Sequence, residues 1–197
     1  MIKRMFDAIF SLAGLVLLSP FLLLIAVLIK KEDRGPMFYR GVRVGRYEKP
    51  FKIFKFRTMV ANAENLGGLS TADDDPRITK TGKFLRKYKL DELPQFINVL
   101  KGEMSFVGPR PEVQHYVDMF TEKEKTILNV RPGITDWASL WNPNEGAILV
   151  GSPNPEKTYL EKIRPQKLKL QLKYVRERSF WTDLKIILLT LKTIMIR

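Results

Sequence analysis

Residues 5–29 read MFDAIFSLAGLVLLSPFLLLIAVLI, and this apolar run constrains the architecture more than any other feature. Only Asp7, Ser11, Ser19 and Pro20 interrupt its apolar character. A single helix of this length would reach about 37 Å, which exceeds the roughly 30 Å of a bilayer core. Basic residues rather than a small-residue cleavage site follow it, which argues against a cleaved signal peptide. We therefore expect a membrane segment.

Two features of this segment favour a re-entrant hairpin over a simple span. Ser19-Pro20 lies near its middle, and proline removes a backbone donor and clashes with the preceding turn, so the helix should kink or break there. Basic residues flank both ends, and the positive-inside rule then places both flanks in the cytoplasm. The two arms, 5–18 and 21–29, would be about 21 Å and 14 Å long, each too short to cross. Composition alone leaves open a single span with a tolerated proline, or a buried core helix.

Composition and charge exclude several classes of protein. The 197 residues are 45% hydrophobic and 28% charged, which excludes a wholly disordered chain. Cysteine is absent and His115 is the single histidine, which excludes thiol chemistry and makes a multi-histidine metal site unlikely. The net charge of +13 divides into +8 over 1–60, −2 over 61–160 and +7 over 161–197. Because both basic ends carry apolar runs, the charge fits an anionic membrane surface better than a nucleic acid.

The first half after the apolar segment predicts a small β-hairpin and a broken helix. Residues 36–43 and 51–58 indicate two strands joined by a polar turn. Residues 61–80 are rich in Asn, Gly, Asp and Thr and predict a loop. Residues 82–100 predict two helical pieces that meet near Asp91 and Pro94, and residues 104–107 a short buried strand.

The second half predicts mainly helices. Apolar residues recur at helical spacing over 111–128, whereas 141–158 is rich in Pro, Gly and Asn and predicts a long loop. Residues 166–178 fit a strand or a helix, and we favour the helix. Residues 180–195 predict an amphipathic helix that lies on the membrane interface or packs on the core. The fold class is therefore α+β.

The strongest candidate site is the adjacent pair Asp91 and Glu92 in LDELPQ (90–95). A helix that begins at or just after Asp91 accommodates Pro94 in its first turn, where a missing N–H is not needed. Unpaired N–H groups and the helix dipole favour anions there, so the carboxylates could serve as nucleophile and Mg²⁺ ligand. The alternative is an ordinary Asp N-cap followed by a first-turn Glu.

Three basic segments are candidates for binding phosphate. In GPRP (108–111) the two prolines restrict the backbone around Arg110, and a pre-oriented guanidinium suits a phosphate or carboxylate. Lys55 lies on the second predicted strand, where its alternative is an exposed strand face. Arg131 and Thr135 are the first and last residues of the segment RPGIT (131–135), in which a positive charge adjoins a Pro-Gly turn. For Arg110 the alternative is a rigid turn with a solvated arginine, and RPGIT is a weak signal in isolation.

Taken together, these segments resemble the small monotopic phosphoglycosyl transferases of the bacterial sugar transferase family. The matching segments occur in the order of the family: Ser19-Pro20, KFRTM (55–59), TGKFLRKYKLDELPQFINVLKGEMSFVGPRP (81–111) and RPGIT (131–135). The resemblance covers nearly the whole chain, and its length looks like the minimal catalytic unit. It implies a re-entrant membrane hairpin over 1–34, broken at Ser19-Pro20. It also implies a catalytic domain over 35–197, on the cytoplasmic face of the bacterial inner membrane, whose C-terminal helices lie at the interface.

The resemblance also implies a reaction. A sugar-1-phosphate would pass from a UDP-sugar to polyprenol phosphate such as undecaprenyl phosphate, releasing UMP and initiating assembly of an O-antigen, capsule, exopolysaccharide or glycoprotein glycan. Asp91 would form a covalent phosphosugar intermediate, and Glu92, with Asp91, would hold Mg²⁺. Lys55, Arg86 and Arg110 would hold phosphates, and Arg131 and Thr135 would contribute to the nucleotide end.

The chain departs from the family pattern at one point. Many relatives continue after RPGIT with Gly, whereas this chain has Asp136-Trp137, which leaves the nucleotide contacts and sugar preference open. We expect the 137–158 segment to shape the sugar pocket. Anionic lipids are expected partners, nucleic acid is not, and a homo-oligomer stays open. A non-catalytic membrane scaffold is the competing hypothesis.

Overall fold

The computed structural model describes residues 2–196, and its longest element is the N-terminal helix. Helix α1 runs from Ile2–Asp33, 32 residues, without a gap in helical structure. It is the one described helix long and apolar enough to cross a membrane, and only 17% of its most apolar window is buried. The predicted membrane segment is therefore present as an exposed apolar helix.

Of the kink or break predicted at Ser19-Pro20, the break is wrong, because helical structure continues through both residues. Pro20 has no N–H to donate to the carbonyl of Val16, the acceptor four residues earlier. The Ser19 hydroxyl instead donates to the Val16 carbonyl oxygen at 2.8 Å. This side-chain donor satisfies the group that the proline leaves unpaired, so the helix continues through Pro20.

Both ends of α1 are fastened to the rest of the chain. At the start, Arg4 donates to the carbonyls of Val99 and Leu100 at 2.5 and 2.6 Å, and Lys3 pairs with Asp183. At the end, Asp33 pairs with Arg57 in a two-pronged contact. The middle, including Ser19 and Pro20, is exposed. The helix thus contacts the domain at both ends and leaves its centre free.

The part of the chain after α1 begins with the predicted hairpin. Strand β1 (Phe38–Tyr39) pairs antiparallel with β4 (Lys55–Phe56), and β2 (Val42–Val44) pairs antiparallel with β3 (Pro50–Lys52). Helix α2 (Lys80–Lys87) follows, then a 3₁₀ helix (Leu90–Gln95) and α3 (Phe96–Lys101). The two predicted helical pieces and the hairpin are therefore confirmed.

A parallel strand pair lies beyond α3. Strand β5 (Ser105–Val107) pairs with β6 (Gly133–Thr135). The pairing brings the GPRP turn, which follows β5, next to the RPGIT segment, which contains β6. The backbones of Gly108 and Gly133 are in close contact and leave no room for a side chain, since a Cβ added to Gly133 would lie 2.1 Å from the Gly108 nitrogen. Sequence patterns predicted β5 but not its partner, which comes from a distant segment.

Two predictions in the second half fail. The predicted helix over 111–128 is divided into α4 (Gln114–Val117), α5 (Glu122–Lys125) and a 3₁₀ turn (Thr126–Asn129). Thr121 and Glu124 form a capping box, which starts a new helix. The segment predicted as a loop, 141–158, contains two short helices, α7 (Glu145–Leu149) and α8 (Pro155–Thr158). Helix α6 (Trp137–Trp141) precedes them.

Two long helices follow as predicted. A π-helical turn (Tyr159–Ile163) leads into α9 (Arg164–Glu177), and α10 spans Phe180–Met195. Among residues 2–196, buried side chains form five small hydrophobic clusters. One of them joins Ile25, Ala26 and Ile29 of α1 to Phe56 and Leu85, so α1 shares a core with the hairpin and α2. The α+β class is confirmed.

Candidate active site

The acidic pair lies where the sequence predicted it, at the start of a helix. Lys89 takes a left-handed conformation (φ 57°), and the 3₁₀ helix begins at the next residue. Asp91 and Glu92 occupy its first turn and are each 7% exposed. Pro94 lies inside the same helix as its fifth residue, because the helix begins at Leu90, one residue earlier than predicted. Two buried adjacent carboxylates need compensating partners, and the structure supplies them unequally.

Glu92 is fully engaged by two cations. Lys55 on β4 donates to Glu92 Oε1 at 2.8 Å, and the Arg110 guanidinium contacts both carboxylate oxygens. Burial alone would raise the pKa of Glu92, but Arg110 and Lys55 outweigh it and hold that pKa well below its ordinary value of 4.5. Glu92 is therefore a permanently ionised group that fixes the positions of both cations.

Asp91 is left free by comparison. Its Oδ2 lies 3.9 Å from Lys55 Nζ, too far for a hydrogen bond, and its Oδ1 is buried with no hydrogen-bond partner among residues 2–196. Burial raises the pKa of Asp91 above 3.8, while the charges of Lys55, Lys89 and Arg86 oppose that rise. A buried carboxylate with an unused oxygen beside several cations is suited to contact a ligand.

The pair opens into a large cavity of about 990 Å³. The structure brings most of the predicted site residues to its wall: Lys55, Arg86, Asp91, Glu92, Arg110 and Thr135. Arg86 is held by a hydrogen bond from Nε to the Thr58 hydroxyl at 2.9 Å. The Thr135 hydroxyl contacts the Thr190 hydroxyl of α10 at 2.7 Å. A volume of this size is within the usual range for ligand sites.

Arg131, which was predicted to contribute to the nucleotide end, is not among the residues that line this cavity. Its Nε donates to the Gly102 carbonyl at 2.8 Å, at the end of α3. The guanidinium therefore ties the loop before β6 to the helix that follows the acidic pair. His115 lies on the exposed face of α4, as expected for a surface histidine.

The structure adds a buried charge cluster that the sequence did not reveal. Lys167 on α9 is 4% exposed and contacts Glu112 at 2.8 Å, Glu145 at 3.0 Å and the Tyr159 hydroxyl at 3.2 Å. All four line the cavity. They come from four separate segments, so no local spacing could have signalled the cluster. Because Glu145 begins α7, this cluster holds the 137–158 segment against the cavity.

The Asp136 departure has a structural explanation. Asp136 is fully buried and caps α6, since its Oδ1 accepts from the Ser139 N–H at 2.7 Å and the Ser139 hydroxyl at 2.8 Å. Its side chain thus begins the helix whose Ser139 and Leu140 line the cavity.

One wall of the cavity is apolar. Ile187, Leu191 and Ile194 of α10 line it together with Phe96 and Phe106. Charged residues and an aliphatic wall therefore share one space, which can take a ligand with an anionic head and an apolar body.

The carboxylates available to a metal ion are few. No group of three or more His, Asp or Glu side chains suited to a metal occurs among residues 2–196. The unpartnered Asp91 Oδ1 fits a cation, whereas both Glu92 oxygens are occupied by Lys55 and Arg110. Magnesium often binds through only one or two carboxylates and completes its shell with substrate phosphates and water, so this donor set fits it.

Known proteins are similar to this chain over most of its length. The family described as bacterial sugar transferase matches residues 1–197. The chain is 38% identical, over 98% of its length, to the UDP-N-acetylgalactosamine-undecaprenyl-phosphate N-acetylgalactosaminephosphotransferase of Aeromonas hydrophila, and covers 44% of that protein. It is 39% identical, over 96% of its length, to the UDP-glucose:undecaprenyl-phosphate glucose-1-phosphate transferase of Escherichia coli K12, and covers 39% of it.

A third relative is similar in length. The sugar transferase EpsL of Bacillus subtilis strain 168 is 37% identical over 99% of this chain, which covers 88% of it. The chain thus spans less than half the length of the first two relatives and most of the third. The chain belongs to the bacterial sugar transferase family.

Proposed function

We propose that this protein transfers a sugar-1-phosphate from a UDP-sugar to polyprenol phosphate, releasing UMP. The observation that carries the proposal is the asymmetry of the acidic pair: Glu92 is saturated by Lys55 and Arg110, while Asp91 keeps an unpartnered oxygen in the same cavity. The names of the relatives from Aeromonas and Escherichia specify undecaprenyl-phosphate and UDP-sugars, which supports the choice of substrates.

The cations of the cavity would bind the donor's diphosphate. Phosphoryl transfer depends mainly on positioning and on neutralising charge at the phosphate oxygens. Lys55 and Arg110 are held in place by Glu92, and Arg86 by Thr58, so these cations need little reorganisation when a phosphate arrives. Thr135 lies on the same wall and is available to the nucleotide sugar.

Asp91 would act as the nucleophile. One carboxylate oxygen attacks the β-phosphorus, a new O–P bond forms, and the bond from that phosphorus to the bridging oxygen breaks, so UMP leaves with the electron pair. An oxygen of polyprenol phosphate then attacks the same phosphorus and displaces the Asp91 carboxylate. No proton needs to move, since both leaving groups are stable anions, which agrees with the absence of a histidine among the cavity residues.

Mg²⁺ is the expected cofactor. When bound, it would neutralise phosphate charge and help orient the diphosphate. The Asp91 oxygen that lacks a partner is the first candidate ligand, and Glu92 could contribute only by giving up part of its contact with Lys55 or Arg110.

The lipid acceptor calls for a site at the bilayer surface. The aliphatic wall formed by Ile187, Leu191 and Ile194 supplies an apolar surface next to the acidic pair. We infer that α1 is re-entrant, with both ends on the cytoplasmic face of the inner membrane, because both ends contact the same domain. The enzyme would be monotopic, with anionic lipids around its basic ends, and would initiate assembly of a polyprenol-linked glycan.

The proposal is tested with a UDP-sugar labelled at the β-phosphate. Wild-type protein with Mg²⁺ should retain label covalently before acceptor is added, and should release UMP. Asp91→Asn should lose both signals, because an amide is not a nucleophile here. Asp118→Asn, an exposed change at the residue that follows α4, is the matched control.

The result that would contradict the nucleophile is label retained on Asp91→Asn. A wild-type protein that releases no UMP from any of a panel of UDP-sugars, with polyprenol phosphate and Mg²⁺, would instead favour the non-catalytic scaffold.

A further inference from the structure

Lys89 is the residue of the cavity whose position is hardest to explain by folding alone. It connects α2 to the 3₁₀ helix and has φ 57° and ψ 21°. A lysine in this left-handed conformation is destabilised by about 1 kcal/mol relative to its usual conformations, whereas glycine or asparagine tolerates it better. Unfavourable backbone conformations of this kind cluster at functional sites.

The side chain of Lys89 is directed at the reaction cavity. It lines the cavity wall and is half-buried. Burial lowers the pKa of its ammonium, and the Glu92 charge opposes that change. Of the described residues, none places a carboxylate oxygen within 4 Å of it or forms a side-chain hydrogen bond with it. Its neighbours differ, because Lys55 and Arg110 are paired with Glu92 and Arg86 bonds Thr58.

The charge around the acidic pair shows what this ammonium is free to bind. Counted against the acidic pair alone, the four cations Lys55, Arg86, Lys89 and Arg110 exceed the two carboxylates by two positive charges. The nearby Glu145 is paired with Lys167. A diphosphate brings about two negative charges. Lys89 supplies half of the excess and is the one of the four with neither an ion pair nor a side-chain hydrogen bond among the described residues.

We propose that Lys89 binds the phosphoryl group that is transferred, donating a charge-assisted hydrogen bond to one of its oxygens. This inference rests on the proposed function and adds a substrate-contacting residue to it. The charge of Lys89 acts on both Asp91 and Glu92, so its ammonium lies near the acidic pair, and its ligand is the phosphate next to Asp91. Since that phosphate takes part in both half-reactions, Lys89 would assist both.

The test separates charge from backbone conformation. Lys89→Asn and Lys89→Gly remove the charge but suit a positive φ, and Lys89→Arg keeps the charge at the same backbone strain. Both uncharged variants should form the labelled intermediate and transfer it to polyprenol phosphate about tenfold more slowly, and Lys89→Arg should retain most of the rate. Inorganic pyrophosphate, used as an inhibitor of the first step, should bind the uncharged variants about tenfold more weakly.

Lys123→Asn, an exposed loss of charge on α5, is the control and should match wild type in all three measurements. Wild-type rates and pyrophosphate inhibition in Lys89→Asn or Lys89→Gly would overturn the inference and leave Lys89 as a turn residue. Failure of the wild-type protein to release UMP would instead contradict the proposed function, so the two failures are distinguishable.

Discussion

Asp91 and Glu92 are adjacent in sequence, yet their environments push their pKa values in opposite directions. Glu92 is held well below its ordinary pKa by Arg110 and Lys55, and burial raises the pKa of Asp91. Such a separation of two neighbouring carboxylates lets one serve as a fixed charge and the other as a reactive group. The sequence predicted the pair because both residues lie in one short motif.

Other site residues differ in whether their positions could be predicted from the sequence alone. Arg110 could be predicted because its flanking prolines restrict it locally. The position of Arg131 could not, since its partner, the Gly102 carbonyl, lies 29 residues away. Lys167 contacts three partners that lie in distant segments of the chain. The direction of the Lys89 side chain follows from a left-handed backbone conformation that a lysine in the sequence does not predict.

The contact between Asp33 and Arg57 predicts a pH dependence of stability. The Arg57 guanidinium is the main cause that lowers the pKa of Asp33 from 3.8 to about 2. Because the folded-state pKa is lowered, the ion pair stabilises the protein fully above about pH 4 and loses its effect as the pH falls toward 2. Asp33→Asn should lower the free energy of unfolding by about 1 kcal/mol at neutral pH, since Asp33 is partly exposed.

Thermal unfolding of both proteins in detergent, between pH 7 and about pH 2.5, measures this difference. The gap between wild type and Asp33→Asn should narrow below pH 4. Glu64→Gln, at an exposed carboxylate, should show no gap at any pH. A gap that stays constant down to pH 2.5 would mean that the pair does not contribute through its charge.

At the scale of elements, the long helices were predictable and the short ones were not. Helices α9 and α10 carry enough turns to show an apolar period, whereas α4 to α8 have four or five residues each. Short helices are set by caps and tertiary contacts rather than by periodicity. Asn98 illustrates the latter: buried on α3, it accepts from the Phe54 N–H at 2.8 Å and donates to the Lys52 carbonyl at 3.0 Å. It thereby fixes the strand that carries Lys55 beside the acidic pair.

Helix α1 yields a prediction about topology. The chain has no cysteine, so single cysteines at Ile2 and Lys31, both exposed, report on its two ends without further changes. If α1 is re-entrant, a membrane-impermeant thiol reagent should label both positions in inside-out vesicles and neither in right-side-out vesicles. Opposite labelling of the two positions would mean that α1 spans the bilayer. Detergent-solubilised protein, in which both cysteines should react, is the control for accessibility.

At the scale of the whole molecule, α10 has one face that lines the cavity and another that is exposed. Its Ile187, Leu191 and Ile194 line the cavity, while Trp181 and Leu188, seven residues apart, are 74% and 59% exposed and lie outside it. Lys185 and Lys192 are also exposed on this helix. An exposed apolar stripe accompanied by lysines is typical of a helix that lies in the membrane interface. Together with α1, this stripe would orient the cavity toward the lipid acceptor.

This arrangement predicts that membrane orientation and chemistry can be separated. In the double variant Trp181→Ser/Leu188→Ser, formation of the labelled intermediate from UDP-sugar in detergent should be unchanged, because neither side chain reaches the cavity. Transfer to polyprenol phosphate in vesicles should fall by about tenfold or more, since each lost apolar contact with lipid is worth about 1.5–3 kcal/mol at most. Glu122→Ser/Lys123→Ser on exposed α5 is the matched control. Equal losses in detergent and in vesicles would show that the stripe supports folding, whereas a loss confined to vesicles follows if α10 holds the acidic pair at the depth of the acceptor's phosphate.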